Sequence, residues 1–348
     1  MIKLKNRIIG EGCPCYIIAE MSANHGQSFE KALKLIRAAK DAGADAIKLQ
    51  TYTPDTMTMD CDNEYFQIGS HPLWGGKSLY QLYQQAYTPW EWHQPLQNEA
   101  GKLGLDFFST PFDETAVDFL EQLDVPVYKI ASFELVDDEL LAYTASKRKP
   151  VILSTGMASE KEIFHAVEIL RRSGAPDVAL LKCVSAYPAS PEEMNLMSIP
   201  SLQKEFQVVA GLSDHTLSSA VAVAAVALGA KIIEKHFTLS REDLSPDAAF
   251  SVTPTEFKKM VEDIRTVEKA IGQPFYGQTI DEKGSVKFRR SIFVVKDIKQ
   301  GESFTRDNIR VIRPGNGLSP QELSKILGAR AVRALKRGTP LTSADIRR

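Results

Sequence analysis

The sequence has few cysteines and no long apolar run. Its four cysteines, Cys13, Cys15, Cys61 and Cys183, have no regular spacing, which argues against a disulfide framework and a structural zinc pair. The most apolar stretch, 220–228, is far shorter than the ~20 residues of a membrane span, and the N-terminus lacks the apolar core of a signal peptide. Glycine-rich phosphate loops and solenoid repeats are also absent. We therefore expect a cytoplasmic protein with reduced thiols and no membrane partner.

Charge is divided unevenly along the 348 residues. Residues 285–348 hold 15 Lys and Arg against 5 Asp and Glu, whereas residues 1–284 hold 27 against 39. A basic segment can bind nucleic acid, but this one carries apolar residues throughout and no run of like charge. We predict a folded basic module that packs against an acidic domain, and no nucleic-acid partner.

Short runs rich in Val, Ile, Phe and Tyr alternate with helical segments. Eight such runs occur, at 16–22, 46–52, 106–112, 127–134, 151–157, 179–187, 208–215 and 231–239. This alternation is typical of a parallel sheet with crossover helices, and eight units predict an α/β fold of the (β/α)8 TIM-barrel type. About fifty residues separate the second run from the third, and we interpret this aromatic-rich insertion as a lid or wall over the barrel mouth.

The length of the chain predicts a large domain followed by a small one. We assign 1–272 to the barrel and 273–284, which is polar and punctuated by glycine and proline, to a linker. The remaining residues, 285–348, are predicted to form a small, mostly β domain.

Polar residues close most of the apolar runs, and the C-terminal rim of a barrel is where its chemistry occurs. Lys48 and Lys129 lie inside apolar strands, where a buried ammonium needs an anion. A Schiff-base role or pairing with an internal glutamate is open for either lysine, but two lysines amid several hydroxyls favour phosphate binding. The hydroxyls in question belong to Thr110, Ser132, Ser154 and Ser213.

His215 and His236 each end an apolar run, one βα unit apart, so their imidazoles are expected to converge at the rim. A single strand-end histidine more often bonds to backbone, but a pair favours a divalent metal with open coordination positions. Mn²⁺ or Co²⁺ is the first expectation, Zn²⁺ would also suit, and Mg²⁺ is less typical. Glu20 and Glu134 suit acid/base work or sugar binding. Asp247 suits either role or an ordinary turn.

Seven motifs at these strand ends resemble the sialic acid synthase family, whose members condense phosphoenolpyruvate with an amino-sugar aldehyde. They are Ala19–His25, Gly43–Gln50, Phe108–Phe112, Tyr128–Glu134, Leu153–Met157, Gly211–Thr216 and Glu234–His236. That family also carries a C-terminal antifreeze-like (SAF) domain, which 285–348 resembles through Arg313–Gly317. The resemblance implies a domain-swapped homodimer in which an arginine of this motif reaches the partner's barrel mouth.

The same resemblance implies a role for individual residues. The metal would be bound by His215 and His236. Phosphoenolpyruvate would be bound by Lys48, Thr110, Lys129, Ser132, Ser154 and Ser213, with Ser185 standing where asparagine is usual. The sugar would be bound by Glu20, Gln50, Tyr187, Asp247 and Arg313. Glu134 is implied as the acid/base, and Glu20, Lys129 and Lys48 complete the expected catalytic set.

Within the family, parts of the insertion resemble pseudaminic acid synthases. These parts are Thr51–Thr56, Leu73–Gly76, Leu79–Tyr83 and Thr88–Trp92. They imply 2,4-diacetamido-2,4,6-trideoxy-L-altrose as the sugar, since its C6 methyl and second acetamido group suit an aromatic wall. The N-acetylneuraminate or legionaminate precursor is the alternative substrate, and a non-catalytic carbohydrate-binding protein is the alternative of another class.

Overall fold

The computed structural model describes residues 1–5, 7–70 and 73–347. The chain divides into two compact units, Met1–Gly272 and Gln273–Arg348. Within the described residues, no helix combines the length and the apolar character needed to cross a membrane.

The first unit is built on eight parallel strands. They are β1 Tyr16–Glu20, β2 Ala46–Thr51, β3 Asp106–Pro111, β4 Tyr128–Ile130, β5 Val151–Ser154, β6 Val178–Cys183, β7 Val209–Asp214 and β8 Ile232–His236. Hydrogen-bonded neighbours follow the order β3-β2-β1-β8-β7-β6-β5-β4, so β8 pairs with β1. β3 and β4 lie side by side, within 8 Å between Cα atoms, without a ladder between them. The predicted TIM-barrel fold is confirmed.

Each predicted run coincides with one strand, although β6 starts one residue before its run and several strands end earlier than predicted. The fourth run extends to Glu134, whereas β4 ends at Ile130 and a 3₁₀ helix over Phe133–Val136 follows it. The sixth run extends to Tyr187, whereas β6 ends at Cys183. Apolar residues continue past these strand ends because the loops at the rim are themselves packed, so hydrophobicity alone overstates strand length.

Helices surround the strands and connect them. They are α1 Phe29–Asp41, α2 Pro54–Met57, α3 Leu79–Ala86, α4 His93–Lys102, α5 Glu114–Gln122, α6 Asp138–Ser146, α7 Glu160–Ser173, α8 Ser198–Phe206, α9 Ser219–Ala227 and α10 Pro254–Ile271. α7 shows how the sequence sets a boundary, because Ser159 and Glu162 form a capping box at its start. Gly174 ends the same helix at φ +115°, a conformation that glycine adopts at low cost.

The core lies between the strands and the helices. Strand residues are buried almost without interruption, since one face of each strand points into the barrel and the other is covered by helices. From α7, Ile163, Val167 and Leu170 pack into this core at helical spacing. A short antiparallel hairpin of Ile2–Lys3 and Ile8–Ile9 precedes the barrel.

The insertion between β2 and α4 is tied to the barrel by hydrogen bonds at both of its ends. The Trp90 indole N–H donates to the carbonyl oxygen of Tyr52 at 3.1 Å. The Thr51 hydroxyl lies 2.8 Å from His93 Nε2 at the start of α4. Between these anchors lie α2, a 3₁₀ helix over Glu64–Phe66, and α3.

The second unit has its own small core and little regular structure. Its elements are β9 Ser291–Val294, β10 Ile309–Ile312, α11 Leu323–Ile326, β11 Arg330–Ala331 and β12 Ile346–Arg347, with a 3₁₀ helix over Asp281–Phe288 before them. β9 pairs with β10 and β11 with β12, both antiparallel. Ile292, Phe304 and Leu341 are fully buried at the centre of this unit.

Candidate active site

Glu20, Lys48, Gln50 and Thr110 form a buried hydrogen-bonded group at the ends of β1 to β3. Glu20 Oε2 lies 2.6 Å from Lys48 Nζ, and Lys48 Nζ donates to Thr110 Oγ1 at 3.2 Å. Gln50 Nε2 donates to Glu20 Oε1 at 3.1 Å. Strand register explains the grouping, because Glu20 is paired with Lys48 and Gln50 with Thr110 across the sheet. Lys48 is therefore paired with an internal glutamate.

Lys129 has a different environment from Lys48. Its ammonium donates to Ser154 Oγ at 2.6 Å and to the carbonyl oxygen of Ile130 at 2.9 Å, and the residue is 2% exposed. Among the described residues, no carboxylate oxygen lies within ion-pair distance of it, and burial lowers the pKa of Lys129. The third donor of this ammonium is free to meet an anion.

A cradle of serine hydroxyls surrounds Gly156. The Gly156 N–H donates to Ser132 Oγ at 3.0 Å. A Cβ at Gly156 would lie 2.3 Å from Ser185 Oγ and 2.8 Å from Ser132 Oγ, so this position admits only glycine without rearrangement. Ser185, the position where the family pattern is broken, therefore lies in the same cradle as Ser132. Its hydroxyl also lies 4.0 Å from Cys183 Sγ.

Glu234 belongs to this site although the sequence predicts no role for it. Its Oε1 accepts from Ser213 Oγ at 3.2 Å and lies 3.7 Å from Lys48 Nζ, while its Oε2 has no hydrogen-bond partner in the described chain. The signal was available, since Glu234 stands two residues before His236 and side chains two apart on a strand share a face.

His215 and His236 converge at neighbouring strand ends, with 5.3 Å between their ring centroids. His215 Nδ1 lies 2.7 Å from the carbonyl oxygen of Val184, so Nδ1 carries the proton and Nε2 keeps its lone pair. His236 Nδ1 has no hydrogen-bond partner in the described residues, and burial holds the pKa of His236 well below its ordinary value. His236 thus offers a neutral nitrogen of the kind that binds a divalent metal. Burial lowers the pKa of His215, but its contacts with Cys183 and Val184 outweigh burial and raise that pKa above its ordinary value.

Among the described residues, the fit of a metal depends on this histidine pair. No group of three or more His, Cys, Asp or Glu side chains in the described ranges is arranged to hold a metal ion. A metal bound to two imidazoles would take its other ligands from substrate and water.

A cavity of about 220 Å³ is lined in part by His236. Gln50, Tyr187, His236 and Asp247 supply its polar side, and its apolar side is formed by Tyr52, Met57, Trp74, Leu82, Tyr83, Phe112, Phe133 and Phe250. The Tyr187 ring lies 4.4 Å from the His215 ring between centroids. The cavity therefore joins three predicted sugar-binding residues to one predicted metal ligand.

Asp247 is held by the loop after β1. Its carboxylate accepts the Ser22 hydroxyl and the Ala23 N–H, the latter at 3.2 Å. Its neighbour Pro246 accepts the Trp74 indole N–H at 2.9 Å, which connects the insertion to this loop. Asp247 is thus built into the cavity wall as well as lying in a turn.

A larger cavity, about 720 Å³, lies at the opposite end of the barrel. It is lined by residues at the starts of strands, such as Val178, Val209 and Lys231, together with Met1 and Ile2. Chemistry in barrels of this kind occurs at the other rim, so its size does not make it the candidate site.

Glu134 and Arg313 take no part in the hydrogen bonds described above. Glu134 is in the 3₁₀ helix after β4, its Oε2 has no hydrogen-bond partner in the described chain, and burial raises its pKa to about 7. Burial likewise raises the pKa of Glu20 to about 7, against the opposing pull of Lys48. Arg313 lies in the second unit, directly after β10, so its role at the barrel stays a prediction.

Comparison with known proteins places these residues in a family. A sequence model of the NeuB family matches residues 35–276, and one of the SAF domain matches residues 289–347. The chain belongs to the NeuB family. The resemblance to sialic acid synthases drawn from its motifs is confirmed, as is the SAF domain at the C-terminus.

Individual relatives cover nearly the whole chain. A pseudaminic acid synthase of Campylobacter jejuni subsp. jejuni serotype O:23/36 is 46% identical over 334 residues, covering 95% of this chain and 96% of that protein. One of Helicobacter pylori is 46% identical over 337 residues, covering 96% and 98%. The crystal structure of N-acetylneuraminic acid synthetase from Leptospira borgpetersenii serovar Hardjo-bovis, in complex with citrate, matches with a TM-score of 0.73 at 33% identity, covering 83% and 95%.

Proposed function

We propose that this NeuB-family enzyme is a pseudaminic acid synthase. It condenses phosphoenolpyruvate with 2,4-diacetamido-2,4,6-trideoxy-L-altrose and water to give pseudaminic acid and phosphate. The observation that carries the chemistry is the buried Lys129 ammonium, which has no carboxylate partner in the described chain and donates to the Ser154 hydroxyl. The 46% identity to pseudaminic acid synthases, against 33% to an N-acetylneuraminic acid synthetase, supports the choice of sugar.

Phosphoenolpyruvate is assigned to the Lys129 side of the site. The Lys129 ammonium and the hydroxyls of Ser132 and Ser154 provide charge-assisted and neutral hydrogen bonds to phosphate oxygens. Lys48, Thr110, Ser185 and Ser213 complete the proposed set of phosphoenolpyruvate-binding residues. Lys48 is bound to Glu20, so we expect it to orient that carboxylate as well as to lend charge.

The sugar is assigned to the cavity beside the histidines. Gln50, Tyr187 and Asp247 line it, and Glu20 meets it through its hydrogen bond to Gln50. A deoxy sugar suits the apolar side of this cavity, because a methyl group needs no hydrogen-bond partner there.

The reaction forms one carbon–carbon bond and breaks one carbon–oxygen bond. C3 of phosphoenolpyruvate adds to the aldehyde carbon, whose oxygen takes a proton, and C2 becomes an oxocarbenium-like centre. Water adds to C2 and loses a proton. Cleavage between C2 and the bridging oxygen then releases phosphate, which takes the proton of the new C2 hydroxyl as C2 becomes a ketone. Glu134 is proposed to donate the first proton and accept the second, which a carboxyl with a pKa near 7 can do at neutral pH.

His215 and His236 are the proposed ligands of a divalent metal. Mn²⁺ or Co²⁺ suits two imidazoles with oxygen ligands better than Mg²⁺ does, and the metal's identity is part of the proposal. When bound, it would act as a Lewis acid on the aldehyde oxygen of the sugar. The chain's contribution is to present two imidazole rings at neighbouring strand ends, with His215 fixed by its bond to Val184.

Replacing Glu134 by Gln is expected to lower turnover by about 10²–10⁴-fold, because the proton donor is lost. In the parent, kcat/KM should fall tenfold per pH unit above about 7, since burial raises the pKa of Glu134 to about 7 and only the protonated form donates. The variant should lose this falling limb. Initial rates of phosphate release between pH 5.5 and 9 give both results.

Glu20→Gln is the matched control, because the pKa of Glu20 is also raised to about 7 by burial. That variant should keep the falling limb whatever its rate. If Glu134→Gln retained near-parental turnover, or if the limb disappeared only in Glu20→Gln, the acid/base role would move away from Glu134.

Phosphate release with a panel of sugars tests the proposed function. The L-altrose-configured diacetamido sugar, its legionaminate-pathway counterpart and N-acetylmannosamine are assayed in parallel with phosphoenolpyruvate. We expect kcat/KM to be at least tenfold higher with the first, since misplaced polar groups go unpaired in an aromatic cavity. Preference for either other sugar would keep the mechanism and change the substrate, whereas no release with any of them would refute the enzyme proposal.

We further propose a cytoplasmic, domain-swapped homodimer in which Arg313 of the partner subunit completes the sugar site. The acidic first 284 residues and the basic remainder of the chain support such an arrangement. Sedimentation analysis at micromolar concentration would contradict it by giving a monomer of 38.6 kDa.

A further inference from the structure

Besides Glu20 and Lys48, a second buried ion pair lies in the barrel. Lys235 and Asp214 are opposite each other on β8 and β7, with 2.6 Å between Nζ and Oδ2. Their side chains are 2% and 0% exposed. Because side chains alternate along a strand, both residues point away from the face that carries Glu234 and His236.

This pair holds the turn that follows His215. Lys235 Nζ also donates to the carbonyl oxygens of Thr216 at 2.5 Å and Ser218 at 3.4 Å. Asp214 Oδ1 accepts the Thr216 N–H at 2.9 Å. The three donors of the ammonium are therefore all used, and every one of these bonds ends within residues 214–218.

Stability alone gives a weak reason for such a pair. Burying two charges is costly, and apolar residues of similar volume often give an equally stable protein. The hydrogen bonds of Lys235 and Asp214 end on the backbone next to one proposed metal ligand. The ring of that ligand, His215, is fixed separately by Val184, so its backbone and its ring have different supports.

We propose that Lys235 and Asp214 are positioning residues that direct the His215 imidazole toward the metal. The proposal rests on the metal site assigned above to His215 and His236. Groups that orient a metal ligand from behind typically change metal affinity by about 10–100-fold when they are replaced. The Lys235–Asp214 pair would thus strengthen metal binding in addition to any contribution to the stability of the fold.

The test is the affinity of metal-free enzyme for Mn²⁺ alone, measured by calorimetric titration, with the melting temperature recorded in parallel. The double variant Asp214→Leu, Lys235→Met replaces the pair by apolar residues and is expected to keep its fold. We expect its affinity for Mn²⁺ to fall by about 10–100-fold. Asp214→Asn is the second variant, for use if the double variant does not fold. It keeps an acceptor for the Thr216 N–H and is expected to weaken Mn²⁺ binding by several-fold.

Arg265→Met is the matched control, since it breaks the Arg265–Asp45 pair of 3.2 Å, a contact that no proposed metal ligand shares. It should lower the melting temperature and leave Mn²⁺ affinity within twofold of the parent. Parental affinity in both Asp214 variants would overturn the positioning role while leaving the metal site standing. A parent that binds no Mn²⁺ would overturn both, and would locate the error in the proposed metal.

Discussion

Lys129→Met is expected to lower kcat/KM for phosphoenolpyruvate by about three orders of magnitude. Lys129 is buried, bonds only to neutral oxygens, and has no carboxylate partner among the described residues. Its charge is therefore available to a bound phosphate, and removing one partner of a buried ion pair costs about 3–5 kcal/mol. A loss of 1.4 kcal/mol is tenfold, so three orders of magnitude lie within this range.

Steady-state phosphate release, with phosphoenolpyruvate varied at saturating sugar, measures this loss. Lys182→Met is the control, because Lys182 is a half-buried lysine on the barrel strand β6. Its side chain points away from the site, since the next residue, Cys183, lies beside His215 and neighbouring side chains on a strand face opposite sides. The control should stay within threefold of the parent. Equal losses in the two variants would mean that the effect comes from folding and not from phosphate binding.

Lys48 and Lys129 illustrate what the sequence predicts about the site and what it does not: it predicts that both are buried, but not which of them is paired with a carboxylate. That both lysines are buried near the rim follows from their position in apolar runs. That Lys48 is paired and Lys129 is not follows from register, since Glu20 lies directly opposite Lys48 in the β1–β2 ladder. Register depends on how strands align in three dimensions, and a pattern of residues along one strand does not contain it.

The barrel strands, unlike their register, can be predicted from the pattern of residues along each strand. Seven strands fall inside predicted runs, and β6 starts one residue before its run. The agreement arises because a strand buried on both faces is almost continuously apolar, which can be read locally. Glu134 and Tyr187 are also read from those runs, although both lie beyond the strand ends. The position of Glu234 on the face of His236 can also be read from its run, but its partners Ser213 and Lys48 cannot, because they come from two other strands.

His236→Ala is expected to lower turnover by at least 10³-fold and to abolish detectable Mn²⁺ binding. Its ring lies 5.3 Å from that of His215 and borders the cavity, and burial keeps it neutral. Two imidazoles would be the only protein ligands of the proposed metal, so losing one removes half of them. Treating the parent with EDTA should cause the same loss, and added Mn²⁺ should restore the parent but not the variant.

His165→Ala is the control for the loss of an imidazole as such. His165 is exposed on α7, with Nε2 2.9 Å from a carboxylate oxygen of Asp138, and should keep parental turnover and Mn²⁺ affinity. The His236 ring also packs against Phe250 at 5.0 Å between centroids, so melting temperatures are compared to separate packing from metal binding. The metal role would be contradicted if His236→Ala kept its fold and, after EDTA treatment, still turned over within tenfold of the untreated parent. The convergence of the histidines would then be explained by packing of His236 against Tyr187 and Phe250.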